Sequence, residues 1–114
     1  MGGEQLHRVA DESPLLREIV ARLVRALAPE RVYLFGSRAR GEARRDSDFD
    51  FLIVVSTSDL PGHARDRAAL RALRGLRLAA DVIVLTREEF ERKLGIVCSL
   101  PATVAREGRL LYAA

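Results

Sequence analysis

Three aspartates and one Gly-Ser pair are the residues whose types and spacing could do chemistry in this chain. Asp48-Phe49-Asp50 leads into Phe51-Leu52-Ile53-Val54-Val55, an apolar run without a breaker. On a strand, side chains alternate in direction, so positions 48 and 50 share a face, roughly 6–7 Å apart. Like charges so placed repel, and aspartate is a poor strand former. Hard divalent cations would offset that cost, because carboxylate oxygens are their preferred ligands. Two such ions about 3.5–4 Å apart can clamp the attacking and leaving oxygens of a phosphoryl displacement. The plainer alternative is a strand entrance with two solvated acids. Asp81 opens a second apolar run, Val82-Ile83-Val84-Leu85. It is either a turn or cap residue or, if its strand lies beside that of Asp48, a third carboxylate for the same ligand set.

Gly36-Ser37 follows the short apolar segment Arg31-Val32-Tyr33-Leu34-Phe35. Glycine permits a turn that other residues resist, and its missing side chain lets a phosphate approach the main chain. A serine hydroxyl and N–H groups aimed outward at a helix start form an anion site. Arg38 and Arg40 stand within reach of phosphate oxygens. Alone, Gly-Ser is a common turn pair. Followed after ten residues by Asp-x-Asp, and then by an acid opening the next strand, it is the arrangement a triphosphate–metal site requires.

These residues need a sheet to hold them. Ser13-Pro14 fits a helix entrance, with serine as N-cap and proline at the first helical position. Leu16, Ile19, Val20, Leu23, Val24 and Leu27 follow at helical spacing until Ala28-Pro29-Glu30. Strands are expected over 31–35, 48–55 and 81–85, the second of them central and buried on both faces. A helix is expected over 62–78, weakened by Gly75. Thr86-Arg87-Glu88-Glu89 fits a capping box. Residues 101–107 fit one or two helical turns stopped by Gly108, and 109–112 a last edge strand. The order is α-β-β-α-β-α-α-β. It describes an α/β (α+β) domain, a small mixed twisted sheet flanked by helices over 13–114, after a loose N-terminal segment at 1–12. Glu42 to Ser47 is expected to be an exposed charged loop.

The stretch Gly36-Ser37-Arg38-Ala39-Arg40-Gly41, then Ser47-Asp48-Phe49-Asp50-Phe51-Leu52-Ile53-Val54, resembles the signature of the DNA polymerase β-like nucleotidyltransferase superfamily. Within it, residues 13–113 resemble the minimal nucleotidyltransferases (MNT proteins), with the Asp81 strand and the tail Arg106–Tyr112 also fitting. The resemblance implies the polymerase β-like fold and transfer of NMP, commonly AMP from ATP, to a hydroxyl with release of pyrophosphate. By position it implies that Gly36 and Ser37 bind the β- and γ-phosphates and that Asp48 and Asp50 ligate two Mg2+ ions, with Mn2+ the alternative. Asp81 would ligate the catalytic ion and help deprotonate or orient the acceptor hydroxyl. Arg38 and Arg40 are added as charge stabilisers at the phosphates. The resemblance also implies a partner, a HEPN-domain RNase toxin, with this chain as antitoxin and protein adenylyltransferase. Masking of the partner by binding alone, and nucleotidyl transfer to a small molecule such as an antibiotic, are the alternatives.

Composition bounds the rest. The chain has 114 residues, 48% hydrophobic, with a formal net charge of +3. That suffices for one core. The basic excess is nearly all arginine, which suits phosphate through its planar fork. A charge this small does not by itself indicate nucleic acid, and a stripe of Arg67, Arg71 and Arg74 fits a solvated face or an acidic partner's dock. Cys98 is expected to be a buried small hydrophobe. With no signal peptide and no apolar stretch near the roughly 20 residues of a membrane span, a cytoplasmic location is expected.

Overall fold

The computed structural model describes residues 13–41 and 48–114. The loose start expected at 1–12, and the charged loop expected at 42–47 with Ser47 of the motif, lie outside the described residues.

Helix α1, Pro14–Leu27, begins where the sequence marks it: the Ser13 side chain accepts the Leu16 N–H at 3.2 Å. It ends at Ala28, whose left-handed backbone (φ 46°) lets its N–H bond the Val24 carbonyl at 2.9 Å. Strand β1, Arg31–Phe35, pairs antiparallel with β2, Phe49–Val55, and on its other side with β4, Arg109–Ala113. Strand β3, Ala80–Thr86, runs parallel to β2. A parallel pair needs a crossover, supplied by helix α2, Gly62–Ala72. The sheet order is β3-β2-β1-β4, so β2 is central as expected. Helices α3, Arg87–Leu94, and α4, Leu100–Glu107, join β3 to β4. The result is a mixed four-stranded sheet with four helices among the described residues, the α+β class the sequence indicates.

The two faces are covered unequally, and this positions the site. On one face α1 and α2 bury Leu16, Ile19, Val20, Leu23 and Ala69 against Val32, Leu34, Phe51, Ile53, Val82 and Val84. The other face has a smaller core, Leu52 and Val54 with Phe90 and Val104 from α3 and α4. Alternation puts Tyr33 and Phe35, Asp50, and Asp81 on this second face. Helices α3 and α4 have 8 residues each, against 14 in α1. At 1.5 Å per residue each short helix reaches only about 12 Å, and the end of the sheet carrying Asp50 and Asp81 stays accessible.

A polar lock closes the β3 edge. Asp66 accepts the Val84 N–H at 2.8 Å, and Arg65 donates to the Val84 carbonyl at 3.1 Å. The Arg65 guanidinium also forks onto Glu89 at 2.8 and 3.2 Å. Glu89 completes the expected capping box with Thr86. Side chains thus satisfy backbone groups that an edge strand would otherwise present to another chain.

Three expectations need correction. Helix α2 stops at Ala72 rather than running to 78, because Leu73 to Leu78 close a series of tight turns around Gly75, at φ +94°. Asp48 precedes β2 rather than lying in it, and is exposed. Cys98 is exposed, not buried: it sits in the α3–α4 link beside Ile96 and Val97, which are 56% and 77% exposed. No helix among the described residues is long and apolar enough to cross a membrane.

Candidate active site

The register brings the acids together. In the parallel β2–β3 pair Asp50 lies directly opposite Asp81, and in the antiparallel β1–β2 pair Phe35 lies opposite Asp50. Neighbouring strands stand about 4.8 Å apart, so the Asp50 and Asp81 carboxylates, on one face, are within reach of a common cation. Asp48 is two residues upstream of Asp50 and exposed.

Electrostatics agree with this placement. Loss of solvent pushes the Asp50 carboxyl above the ordinary carboxylate range, and repulsion first from Asp81 and then from Asp48 pushes it further. Both neighbouring acids therefore act on Asp50, with no cationic side chain among the causes that offsets them. Hard oxygen donors held in mutual repulsion fit divalent metal. Among the described residues no three acidic, histidine or cysteine side chains close into a complete ligand cluster. Asp50 and Asp81 would therefore supply only part of a metal ion's oxygen ligands.

Gly36 makes a sharper statement. Its φ is +77°, and a Cβ there would lie 2.4 Å from Oδ2 of Asp50. Two independent constraints, left-handed backbone and direct approach to a site carboxylate, therefore require glycine. The chain then turns through Ser37 to Gly41, with the Ala39 and Arg40 N–H groups bonding the Gly36 carbonyl at 3.1 and 3.3 Å. Ser37 is half-buried at the start of this turn. Thus Gly36-Ser37 and the aspartates, separated in sequence, share one end of the sheet.

The arginines part company. The Arg38 guanidinium lies over the Phe49 ring, 3.8 Å from its centroid. Phe49 packs into the core on the α1 side, opposite the face of Asp50. Arg40 is exposed in the turn. The Arg38 head group thus lies on the face of the sheet opposite Asp50.

A cleft of about 490 Å³ opens beside the acids, lined by Phe35, Asp50, Asp66, Leu70, Asp81, Val82, Ile83 and Leu100. Asp66, Leu70 and Leu100 carry no motif that marks them in the sequence. Asp66 and Leu70 are four apart on α2, hence on one helix face. Leu70 is 42% exposed.

Comparison with known proteins identifies the family and the fold. The sequence profile of the family described as "Nucleotidyltransferase domain" matches residues 14–111. No curated protein matches the chain. Among solved structures, a Sulfolobus solfataricus protein named as a candidate nucleotidyltransferase is similar at 31% identity and TM-score 0.53, over 80% of this chain and 75% of that one. A toxin–antitoxin structure with AMP-PNP is similar in fold at 23% identity and TM-score 0.59, over 84% and 72%. So is a toxin–antitoxin structure of MntA–HpeT in a mutant carrying two aspartate-to-glutamate changes, at 21% identity and TM-score 0.56, over 83% and 70%.

Proposed function

From the premise that the chain belongs to the nucleotidyltransferase domain family, we propose that it transfers NMP, as AMP from ATP, to a hydroxyl of a partner protein. We propose further that the partner is a HEPN-domain RNase toxin and that transfer makes this chain its antitoxin, acting in the cytoplasm. The observation that carries the chemistry is the approach of the Gly36 backbone to the carboxylate of Asp50, itself in register with Asp81. The two similar toxin–antitoxin folds, one of them with AMP-PNP, support the nucleotide and the antitoxin role.

In this reading the turn from Gly36 and Ser37 receives the β- and γ-phosphates. Asp48 and Asp50 would hold two Mg2+ ions, or Mn2+, and Asp81 would ligate the catalytic ion. Such ions, when bound, neutralise phosphate charge and favour loss of the hydroxyl proton. Asp81 orients the acceptor hydroxyl, whose proton passes to that carboxylate or to water. The acceptor oxygen bonds to the α-phosphorus as the bond from that phosphorus to the bridging oxygen breaks, and pyrophosphate leaves. Arg38 and Arg40 add positive charge for the phosphates, Arg38 by leaving the Phe49 ring.

The test is transfer of label from α-labelled ATP with magnesium to a co-expressed partner, with Asp50→Asn in parallel. Labelling is expected with the unaltered chain, and a loss of at least about a hundredfold with the variant, as for other removed transition-state charge stabilisers. A labelled partner with Asp50→Asn would refute the site. A stable complex with no label from either version would replace transfer by masking, and antibiotic-dependent pyrophosphate release would replace the protein acceptor by a small molecule.

A further inference from the structure

The arginines of α2 lie next to the carboxylate cleft. Arg67 and Arg71 are four apart on α2, and Arg74 follows in the turn beyond it. With Leu70 they line a groove of about 420 Å³. Leu70 also lines the cleft that contains Asp50 and Asp81. One exposed leucine therefore forms the boundary between an acidic cleft and a basic groove.

The charge in this groove is not neutralised within the described residues. Arg22, Arg65, Arg87 and Arg106 are paired with Glu18, Glu89, Glu30 and Glu107. Among the described residues Arg67, Arg71 and Arg74 form no ion pair, and all three are exposed. Like charges four apart on a helix repel and destabilise it slightly. Among the described residues no aromatic side chain lines the groove, and these residues offer no stacking surface of the kind single-stranded nucleic acid uses. Arginine is instead enriched at protein interfaces, and the exposed Leu70 beside it offers apolar area to bury against a partner.

We infer that the Arg67–Arg71–Arg74 groove docks an acidic segment of the acceptor protein, with an apolar residue on Leu70, and so guides the acceptor hydroxyl toward Asp81. This inference rests on the acceptor being a protein, and it deepens that reading by naming the surface and the charge of the partner segment. Carboxylates in that segment meet the three guanidinium groups, and the path over Leu70 leads directly to the catalytic cleft.

The test reads docking apart from catalysis. Fluorescence anisotropy follows binding of a short fluorescein-labelled peptide of glutamate and leucine at about 0.15 M salt, where exposed charges beyond about 8 Å are screened. The double variant Arg67→Ala and Arg71→Ala keeps the helix, since alanine is its best former, and touches no residue of the nucleotide site. Binding to the unaltered chain, weakened about tenfold in the variant, is the expected result for two lost exposed charge contacts. Leu70→Ser is expected to weaken it independently. Equal binding by the variant, or no binding by the unaltered chain, would overturn the inference. Tighter binding of single-stranded RNA than of the peptide would overturn it in favour of a nucleic-acid surface. Loss of labelling in the transfer assay with docking intact would instead count against the catalytic reading alone.

Discussion

At Gly36 two demands meet in one residue. The backbone is left-handed, and the space a Cβ would fill belongs to Oδ2 of Asp50. Gly36→Ala therefore forces the turn, the carboxylate or both to move. A left-handed alanine costs about 1–3 kcal/mol by backbone strain alone. The expected outcome is a lower melting temperature together with loss of nucleotidyl transfer, whereas Gly41→Ala, where no neighbour lies within 4 Å, shows only the strain of its φ of +75°. Equal activity of the two variants would remove Gly36 from the site. The meeting of Gly36, Asp50 and Asp81 was legible because its signals are local: a turn that needs glycine and acids that open two apolar strands. Leu70 and Asp66 were not, because their role comes from which face of α2 meets the edge of β3, and no local pattern records that. Cys98 was misplaced for the same kind of reason. Its apolar neighbours Ile96 and Val97 look like core in sequence, but the turn between α3 and α4 leaves them outside.

A buried guanidinium ties strand β3 to α2 and to the cap of α3, beside the Asp66 bond to the Val84 N–H. Arg65 is 9% exposed and joins the Leu60 and Val84 carbonyls to Glu89. The Arg65 fork, followed by the hydrogen bond from the Thr86 backbone, holds the Glu89 carboxyl down at about 2, against an ordinary 4.5. Because the folded value is the lower one, the stabilisation from Glu89 is complete above about 4.5 and is lost as pH falls from there through about 2. Acid unfolding followed by circular dichroism is expected to show a shallower limb across that window in Glu89→Gln. An unchanged limb would mean that other carboxylates govern acid stability. Arg65→Ala leaves Glu89 and the Val84 carbonyl without their partner and is expected to cost about 3 kcal/mol in denaturant unfolding. The capping box that anchors this lock was readable from Thr86 and Glu89, since both ends of a cap lie within one turn. The Arg65 link spans 24 residues and needed the fold. Helix α2 was overextended at the sequence level because Leu73 and Leu76 keep helical spacing after the helix has stopped. Gly75 was the available signal.

At the scale of the whole fold, the candidate site is assembled from three segments that meet only in the folded sheet: the turn after β1, the start of β2 and the start of β3. Unfolding dismantles all three at once, so any ligand that bridges them must stabilise the entire domain. The aspartates also impose an electrostatic cost on the metal-free chain, since desolvation and then the neighbouring acids disfavour the charged form of Asp50. Asp50→Asn removes that cost and is expected to melt slightly above the unaltered chain in the absence of metal. Adding magnesium and ATP should reverse the order. A ligand present at a hundred times its Kd stabilises a folded protein by about 2.7 kcal/mol, several degrees in melting temperature for a domain of this size. The variant, with one carboxylate fewer for the cation, should gain little. A crossover of the two melting temperatures on adding magnesium and ATP, read by differential scanning fluorimetry, identifies the repulsion as the counterpart of metal binding. If instead Asp50→Asn melts lower without metal and gains as much with magnesium and ATP, the carboxylates serve the fold and the nucleotide is held elsewhere.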